Sequence, residues 1–203
     1  MGVVVKDLDS GDNILLCKGS PEMITARCVD APADLAKKVE DYSRRGYRVL
    51  ACSYKTLYEA ETTEQHISEI EAGQNYLGLI LLNNKVKDNA CIVVNKLMYQ
   101  LEREKLKVIM STGDDINTGI SIAKKCGIIP NGYTIYIGDV VRGELQWRNF
   151  DETSPSLSEA IRTNDTTYKL ALTGAAYEVA RANSTEFKQI LCTAAVFGRM
   201  SPI

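Results

Sequence analysis

The residues best suited to chemistry lie between Lys107 and Asp115: the apolar run Val108-Ile109-Met110, then Ser111-Thr112-Gly113-Asp114-Asp115. The spacing predicts a short buried strand over Val108–Met110, a tight turn, and a helix capped by the Asp115 carboxylate, which accepts from the first free N–H groups. Ile116, Ile120 and Ala123 give that helix one apolar face, and Gly127 closes it with Lys124 and Lys125 beside the negative end of its dipole. A strand ending in a Thr-Gly turn at a helix start is a ready anion site, since Gly113 lets a ligand approach the backbone. The same letters fit an ordinary βα unit, and spacing alone favours that plainer reading.

Two cations are the next candidates. Asn13 to Cys17 reads as a strand that runs into Lys18-Gly19-Ser20-Pro21-Glu22, so Lys18 stands at the strand's end beside a glycine, able to reach into a pocket. Taken alone, Lys-Gly-x-Pro is a surface turn. Tyr47 to Tyr54 reads as a strand with one charge, Arg48, in its apolar part. Arg48 is either an edge residue with its head in water or a group that binds an anion together with Lys18.

The bulk properties narrow the classes. A chain of 203 residues suits one large or two small domains, and 45% hydrophobic with 25% charged residues is a globular composition. A formal net charge of -2 gives no case for nucleic acid. The longest apolar run, Tyr76 to Leu82, is far short of the roughly 20 residues of a spanning helix, and no signal peptide is expected at the N-terminus. Cys17, Cys28, Cys52, Cys91, Cys126 and Cys192 are scattered without a Cys-x-x-Cys pair, which points to reduced structural thiols in a cytosolic setting. His66 is the lone histidine, in a polar stretch, so neither a Ser-His-Asp mechanism nor a histidine metal site is supported.

These residues need elements to position them. Val3–Val5 and Asn13–Cys17 predict two strands joined by Asp9-Ser10-Gly11-Asp12, and Pro32–Arg45 a helix with Leu35, Val39 and Tyr42 inward and Gly46 as its stop. Thr56–Asn75 reads as a helix plus loop joining two modules. Tyr76–Leu82 reads as a buried strand, and Lys87–Glu104 as a long helix with Ala90, Val93, Val94, Leu97 and Leu101 inward. Short strands at Tyr133–Ile137 and Glu144–Trp147, separated by Gly138 and Gly143, predict a hairpin-like excursion. A helix over Thr153–Arg162 follows, then a strand over Tyr168–Leu172 and a second Thr-Gly turn, Thr173-Gly174, into a helix to about Ala182. A last helix near Glu186–Leu191 leads into Ala194–Phe197. Alternating strands and helices after about Tyr76 argue for a parallel α/β sheet.

Four motifs stand in fixed order: Lys18-Gly19-Ser20-Pro21-Glu22, Gly46-Tyr47-Arg48-Val49-Leu50-Ala51, Thr112-Gly113-Asp114-Asp115, and Val196-Phe197-Gly198-Arg199-Met200-Ser201-Pro202. In this order and with these gaps the chain resembles the cytosolic part of a P-type ATPase over nearly its whole length. Met23-Ile24, the Gly-Tyr-Arg-Val string and Leu77-Gly78-Leu79-Ile80 before Asn84-Lys85-Val86-Lys87 look like the type V subfamily, in its polyamine-transporting branch.

The resemblance implies an α/β fold in two incomplete parts. Residues 1–75 would be the C-terminal part of an antiparallel nucleotide-binding domain, and residues 76–203 most of a Rossmann-like phosphorylation domain of haloacid-dehalogenase type. Lys18 would lie at the adenine pocket with Gly19 giving access, Leu50 near the base and Arg48 at the phosphates of ATP. Thr112 and Gly113 would hold the phosphoryl group in transfer, while Asp114 and Arg199 orient the nucleotide. Mg2+ would be needed, its ligands beyond Ile203, so no metal ligand is assigned within the chain. The intact protein would couple ATP hydrolysis to transport of a cation or polyamine through absent membrane helices of an endomembrane compartment, this portion facing the cytosol.

Some positions depart from the family pattern. Asp115 stands where Asn is usual, adding a negative charge near the phosphate. Gly198 replaces the usual Ala, read as a mild change, and Asp88 stands where Pro is common. No Asp-Lys-Thr-Gly-Thr segment occurs among the 203 residues, so the phosphorylated aspartate lies outside them and the chain by itself is expected to be inactive. Two other readings compete. A free-standing phosphatase of the same superfamily needs an Asp-x-Asp pair, for which Asp7-Leu8-Asp9 has the spacing but precedes a polar turn; a non-enzymatic nucleotide-binding remnant would keep Lys18 and Arg48.

Overall fold

The protein is described here by a computed structural model covering residues 1–58, 70–83, 85–100, 106–151, 156–163, 165–182 and 184–201. Most of the expected helix and loop over Thr56–Asn75, including His66, lies outside the described residues. The chain divides into two units, Met1–Ser43 with Tyr47–Asn83, and Arg44–Gly46 with Asn84–Ile203.

The first unit is built on an antiparallel sheet of order β1-β2-β3-β4, with β1 Gly2–Lys6, β2 Asn13–Gly19, β3 Tyr47–Leu57 and β4 Asn75–Asn83. Period-two burial along β2 and β3 sends Leu15, Cys17, Val49, Ala51 and Ser53 to one face. There Leu15, Cys17, Ala51 and Leu57 form a core with Ile24 from α1, Pro21–Thr25, whose first residue is a proline that needs no N–H partner. Helix α2, Leu35–Arg44, buries Leu35 and begins three residues later than Pro32 suggests. Gly46 stops it as expected, at φ +88°.

Tyr76–Leu82 is not a buried strand of the second module. It lies within β4, which pairs along β3 from Tyr47↔Asn83 to Tyr54↔Asn75 at the end of the strand order, and Leu77 is 62% exposed. The boundary between units therefore falls after Asn83 rather than after residue 75. An apolar run of strand length looks the same at the edge of a half-covered sheet as in the middle of a buried one, and long-range pairing with β3 decided the matter.

The second unit holds a five-stranded sheet of order β5-β9-β8-β6-β7, with β5 Met110–Ser111, β6 Thr134–Val141, β7 Glu144–Asn149, β8 Tyr168–Thr173 and β9 Ala194–Gly198. β5, β9, β8 and β6 are parallel and β7 antiparallel. Both faces are buried: Ile135, Ile137 and Ala171 pack with Ile116 and Ile120 of α4, Ile116–Lys125. Tyr136, Leu170 and Leu172 pack on the other side with Ala176 of α6, Gly174–Ala182, and Ile190 of α7, Ser184–Thr193. Helix α5, Leu157–Arg162, starts at a Ser156 cap that accepts from Glu159 N at 3.3 Å; residues 152–155 lie outside the described set.

Several expected elements change. The strand read over Val108–Met110 is only Met110–Ser111, and Ile109 is exposed. The long helix read over Lys87–Glu104 is α3, Ala90–Asn95, followed by a π-helical turn over Lys96–Gln100; Val93 faces out, and Leu101 is outside the described residues. Gly138 does not separate two strands but lies inside β6, where an added Cβ would stand 2.9 Å from the Trp147 ring. The hairpin turn is Arg142-Gly143, both at positive φ, the geometry of a type I′ turn. No helix among the described residues is long and apolar enough to cross a membrane.

Candidate functional site

In the first unit the register alone brings three of the sequence candidates to one face. Lys18 pairs with Cys52 across β2 and β3, so the two side chains leave the sheet on the same side. Leu50 and Arg48 follow Cys52 at two-residue steps on that side, opposite the core. Lys18 and Arg48 are both exposed, and the four residue steps from Cys52 to Arg48 span about 13 Å of strand. A cavity of about 330 Å³ opens here, walled by Val3, Leu16, Lys18, Cys52 and Leu77. Lys18 brings a charged side chain to that wall, beside Met1, whose terminal ammonium donates to the Lys18 carbonyl oxygen at 3.1 Å; Arg48 and Leu50 lie beyond it along β3. A face carrying two cations among Leu16, Leu50 and Ile80 suits a ligand with an apolar ring at one end and negative charge at the other.

Gly19 does not share this face. It pairs with Ala51 on the core side, and an added Cβ would meet Ile24 at 3.6 Å, ordinary contact. Its lack of a side chain is therefore not what opens the cavity. The period of two separates it from Lys18.

In the second unit Thr112, Gly113 and Asp114 form a loop laced to the segment after β9. Thr112 N donates to Phe197 O at 2.9 Å, Met200 N to Thr112 O at 3.1 Å, and Arg199 N to Asp114 O at 2.9 Å. Asp114 N donates to the Thr112 hydroxyl oxygen at 3.1 Å, and a hydroxyl that accepts one bond still carries a proton to donate. Asp115 caps α4 as the sequence predicts, accepting from Asn117 N at 2.9 Å. Gly113 is exposed at the tip, where a Cβ would meet the Met200 carbonyl at 3.7 Å. Among the described residues nothing requires glycine there.

Arg199, also exposed, takes φ +54°, a left-handed conformation costly for a residue with a side chain. Two glycines shape its neighbourhood. A Cβ on Gly174 would sit 2.6 Å from the Arg199 carbonyl oxygen, and one on Gly198 would sit 2.7 Å from the Ile116 Cα. Gly198 is thus no mild exchange for Ala: the end of β9 lies directly on the first turn of α4. The second Thr-Gly turn is closed where the first is open. The Thr173 hydroxyl accepts from Ala176 N at 3.3 Å and donates to Asp139 at 3.2 Å, and the Arg199 backbone fills the space before Gly174. Sequence reasoning missed Gly174 and Gly198 because a close backbone approach between distant segments leaves no local signal.

The pair Asp7 and Asp9 is a turn, not an acidic site. Asp9 N donates to Asp7 Oδ1 at 2.9 Å, and this N–H, ahead of other contacts, holds the Asp7 carboxyl below its ordinary range. The phosphatase reading loses its acidic pair. Among the described residues no cluster of three or more His, Cys, Asp and Glu is placed to hold a metal.

No protein-family model matches the chain. Curated relatives do. The chain is 28% identical to the mouse polyamine-transporting ATPase 13A3 over all of its own length and 19% of that protein's. It is 29% identical to the cation-transporting ATPase catp-5 of Caenorhabditis elegans over 94% of its length and 18% of the relative's. Against the vacuolar cation-transporting ATPase YPK9 of Saccharomyces cerevisiae it is 28% identical over its full length and 15% of the relative's. Matched over nearly its whole length, the chain belongs to the type V cation- and polyamine-transporting P-type ATPases, of whose length it spans 15–19%.

Proposed function

We propose that the chain is the ATP-binding and phosphoryl-transfer portion of a transporter of this family. The first unit, Met1–Ser43 with Tyr47–Asn83, is the C-terminal part of a nucleotide-binding domain, and the second is most of a Rossmann-like phosphorylation domain of haloacid-dehalogenase type. The adenine of ATP enters the cavity beside Lys18, the base packs toward Leu50, and Arg48 meets the phosphates. The observation that carries this reading is the shared face of Lys18, Leu50 and Arg48, two cations spaced along an apolar surface of the right polarity for a nucleotide.

In the second unit the Thr112 hydroxyl and the Gly113 backbone hold the phosphoryl group at the start of α4, where the positive end of the helix dipole favours it. The glycine at 113, where a Cβ would meet only ordinary contact among the described residues, leaves room for that group. Asp114 and Arg199, joined through the Arg199 N–H, orient the nucleotide. The acceptor aspartate belongs to a segment outside these 203 residues. β5 ends the strand order beside Thr112 and offers the edge where such a strand would pair. On this reading Mg2+ would be held by ligands outside these 203 residues and would neutralise charge on the phosphates of ATP. Following the relatives' names, the transported species is a polyamine or another cation, and the vacuolar relative favours an endomembrane compartment, with this portion on its cytosolic side on our reading.

Calorimetric titration of the 203-residue chain tests the reading. ATP should bind weakly, Lys18→Ala should weaken both ATP and adenosine, and Arg48→Ala should weaken ATP roughly 10-fold while sparing adenosine. Equal affinities in all three chains refute the assignment of the face. No phosphoenzyme should form on this chain, because the Asp-Lys-Thr-Gly-Thr segment is absent from its sequence; acid-stable phosphate incorporation that depends on Mg2+ would refute that part.

A further inference from the structure

Two of the six cysteines meet where α3 crosses the C-terminal turn of α4. The Cys91 thiol donates to the Lys125 carbonyl oxygen at 3.0 Å, and Cys126, the next residue, is the C-cap of α4. One turn further along α3, Asn95 Oδ1 lies 3.6 Å from where a Cβ on Gly127 would stand. Cys91 and Asn95 therefore straddle Cys126. A Cα lies about 2.8 Å from the preceding carbonyl oxygen, so the Cys126 Cα is within about 6 Å of the Cys91 sulfur. A disulfide needs a Cα separation of about 4.4–6.8 Å and sulfurs about 2 Å apart, so closing the bond requires both sulfurs to rotate toward each other about χ1.

We propose that Cys91 and Cys126 form a reversible disulfide that locks α3 to the C-terminal end of α4, a modification site independent of the nucleotide reading. Cys91 is half-buried and Cys126 buried. The Cys91 thiolate attacks a low-molecular-weight disulfide such as oxidised glutathione, releasing one glutathione thiolate and leaving a mixed disulfide. The Cys126 thiolate then attacks the Cys91 sulfur, closing the bond and releasing the second glutathione thiolate. The two cysteine protons pass through water to the two leaving thiolates, so the protein loses two electrons and glutathione disulfide gains them. Burial, and then neighbouring Cys91, push the Cys126 thiol up, which lowers the thiolate fraction available to the second step at neutral pH. The closed ring contains β5 and the whole Thr112–Asp115 loop, so oxidation restrains the segment that carries the anion site.

The test is to incubate the native 203-residue chain with oxidised glutathione, quench with acid and map peptides by mass. A 2 Da loss with Cys91 joined to Cys126 is expected, absent in Cys91→Ser and retained in Cys192→Ser. The linked chain should melt roughly 10 °C above the same sample treated with dithiothreitol. Cys91 and Cys126 carrying separate glutathiones, a 2 Da loss that maps to other cysteines, or a linked chain melting within 2 °C of the reduced one would each overturn the proposal. Reduced Cys91→Ser should melt with the reduced parent, which keeps loss of the link distinct from loss of the fold.

Discussion

Replacing Gly198 by Ala should be costly, against the plain similarity of the two residues. The added methyl carbon would stand 2.7 Å from the Ile116 Cα, 2.9 Å from its Cδ1 and 3.0 Å from its Cβ. Carbon atoms settle at about 3.5–4.0 Å, so β9 and the first turn of α4 must part by about 0.8 Å or more. The nearest obstacle is backbone, which no rotamer can move aside. Overpacking of this kind costs about 1–3 kcal/mol, and the absence of a flexible neighbour puts this site near the top of that range. For a chain of this length that lowers the melting temperature by roughly 5–10 °C. Ile116 directly follows the Asp115 cap, so the shift also pulls the Thr112–Asp114 loop from its bonds to Arg199 and Met200. Urea and thermal unfolding of the parent, Gly198→Ala and the double change with Ile116→Ala would decide it. The double change removes the Cδ1 contact but not the Cα one, so it should restore little. A Gly198→Ala chain melting within 1 °C of the parent would refute the close-approach argument, and full rescue by Ile116→Ala would show that the side chain, not the backbone, set the cost.

Other perturbations have expected outcomes of different sign. Gly113→Ala should change the unfolding free energy by less than about 0.5 kcal/mol, since its Cβ would meet only ordinary contact, yet weaken phosphate binding seen as amide shifts at 112–115. Asp115→Asn keeps the cap and removes a negative charge, so orthophosphate or a fluoride analogue should bind a few-fold more tightly; unchanged affinity would place the charge too far away to matter. Arg142→Asn should stabilise the hairpin by about 0.5–1 kcal/mol, because Asn tolerates the left-handed φ of +54° better and completes the Asn-Gly pair of a type I′ turn. Raising the pH should destabilise the fold. Burial pushes up the thiols of Cys28 and Cys126 and the phenols of Tyr76 and Tyr136, so above the ordinary cysteine range near 8.5 the unfolded chain releases protons that the native chain retains. Stability is whole below that range and falls as pH rises through it; a urea midpoint at pH 9.5 equal to that at pH 7.5 would contradict the burial of these groups.

The sequence by itself determined what is local or periodic. The Asp115 cap, the Gly46 stop, the strand over Tyr168–Thr173 with its turn into a helix, and the period of two along Asn13–Gly19 and Tyr47–Leu57 follow from neighbours a few residues apart, and all are present in the fold. The order of four short motifs likewise carried the family, because order and gaps survive where overall identity falls below a third. Tertiary structure decided whatever depended on a distant partner. Tyr76–Leu82 became an exposed edge rather than a buried strand because β3 claimed it. The helix read from Lys87 is helical over Ala90–Gln100, with its last five described residues wound as a π-helical turn. Lys18 and Arg48 came to one face, and Gly19 to the other, through the register Lys18↔Cys52, which no residue of either strand specifies alone. Gly174 and Gly198 look like ordinary strand-end glycines until Arg199 and Ile116 are placed against them. Hydrogen-bond period and capping are written within a turn or two of chain, whereas pairing partners and backbone clearances exist only once segments tens of residues apart have met.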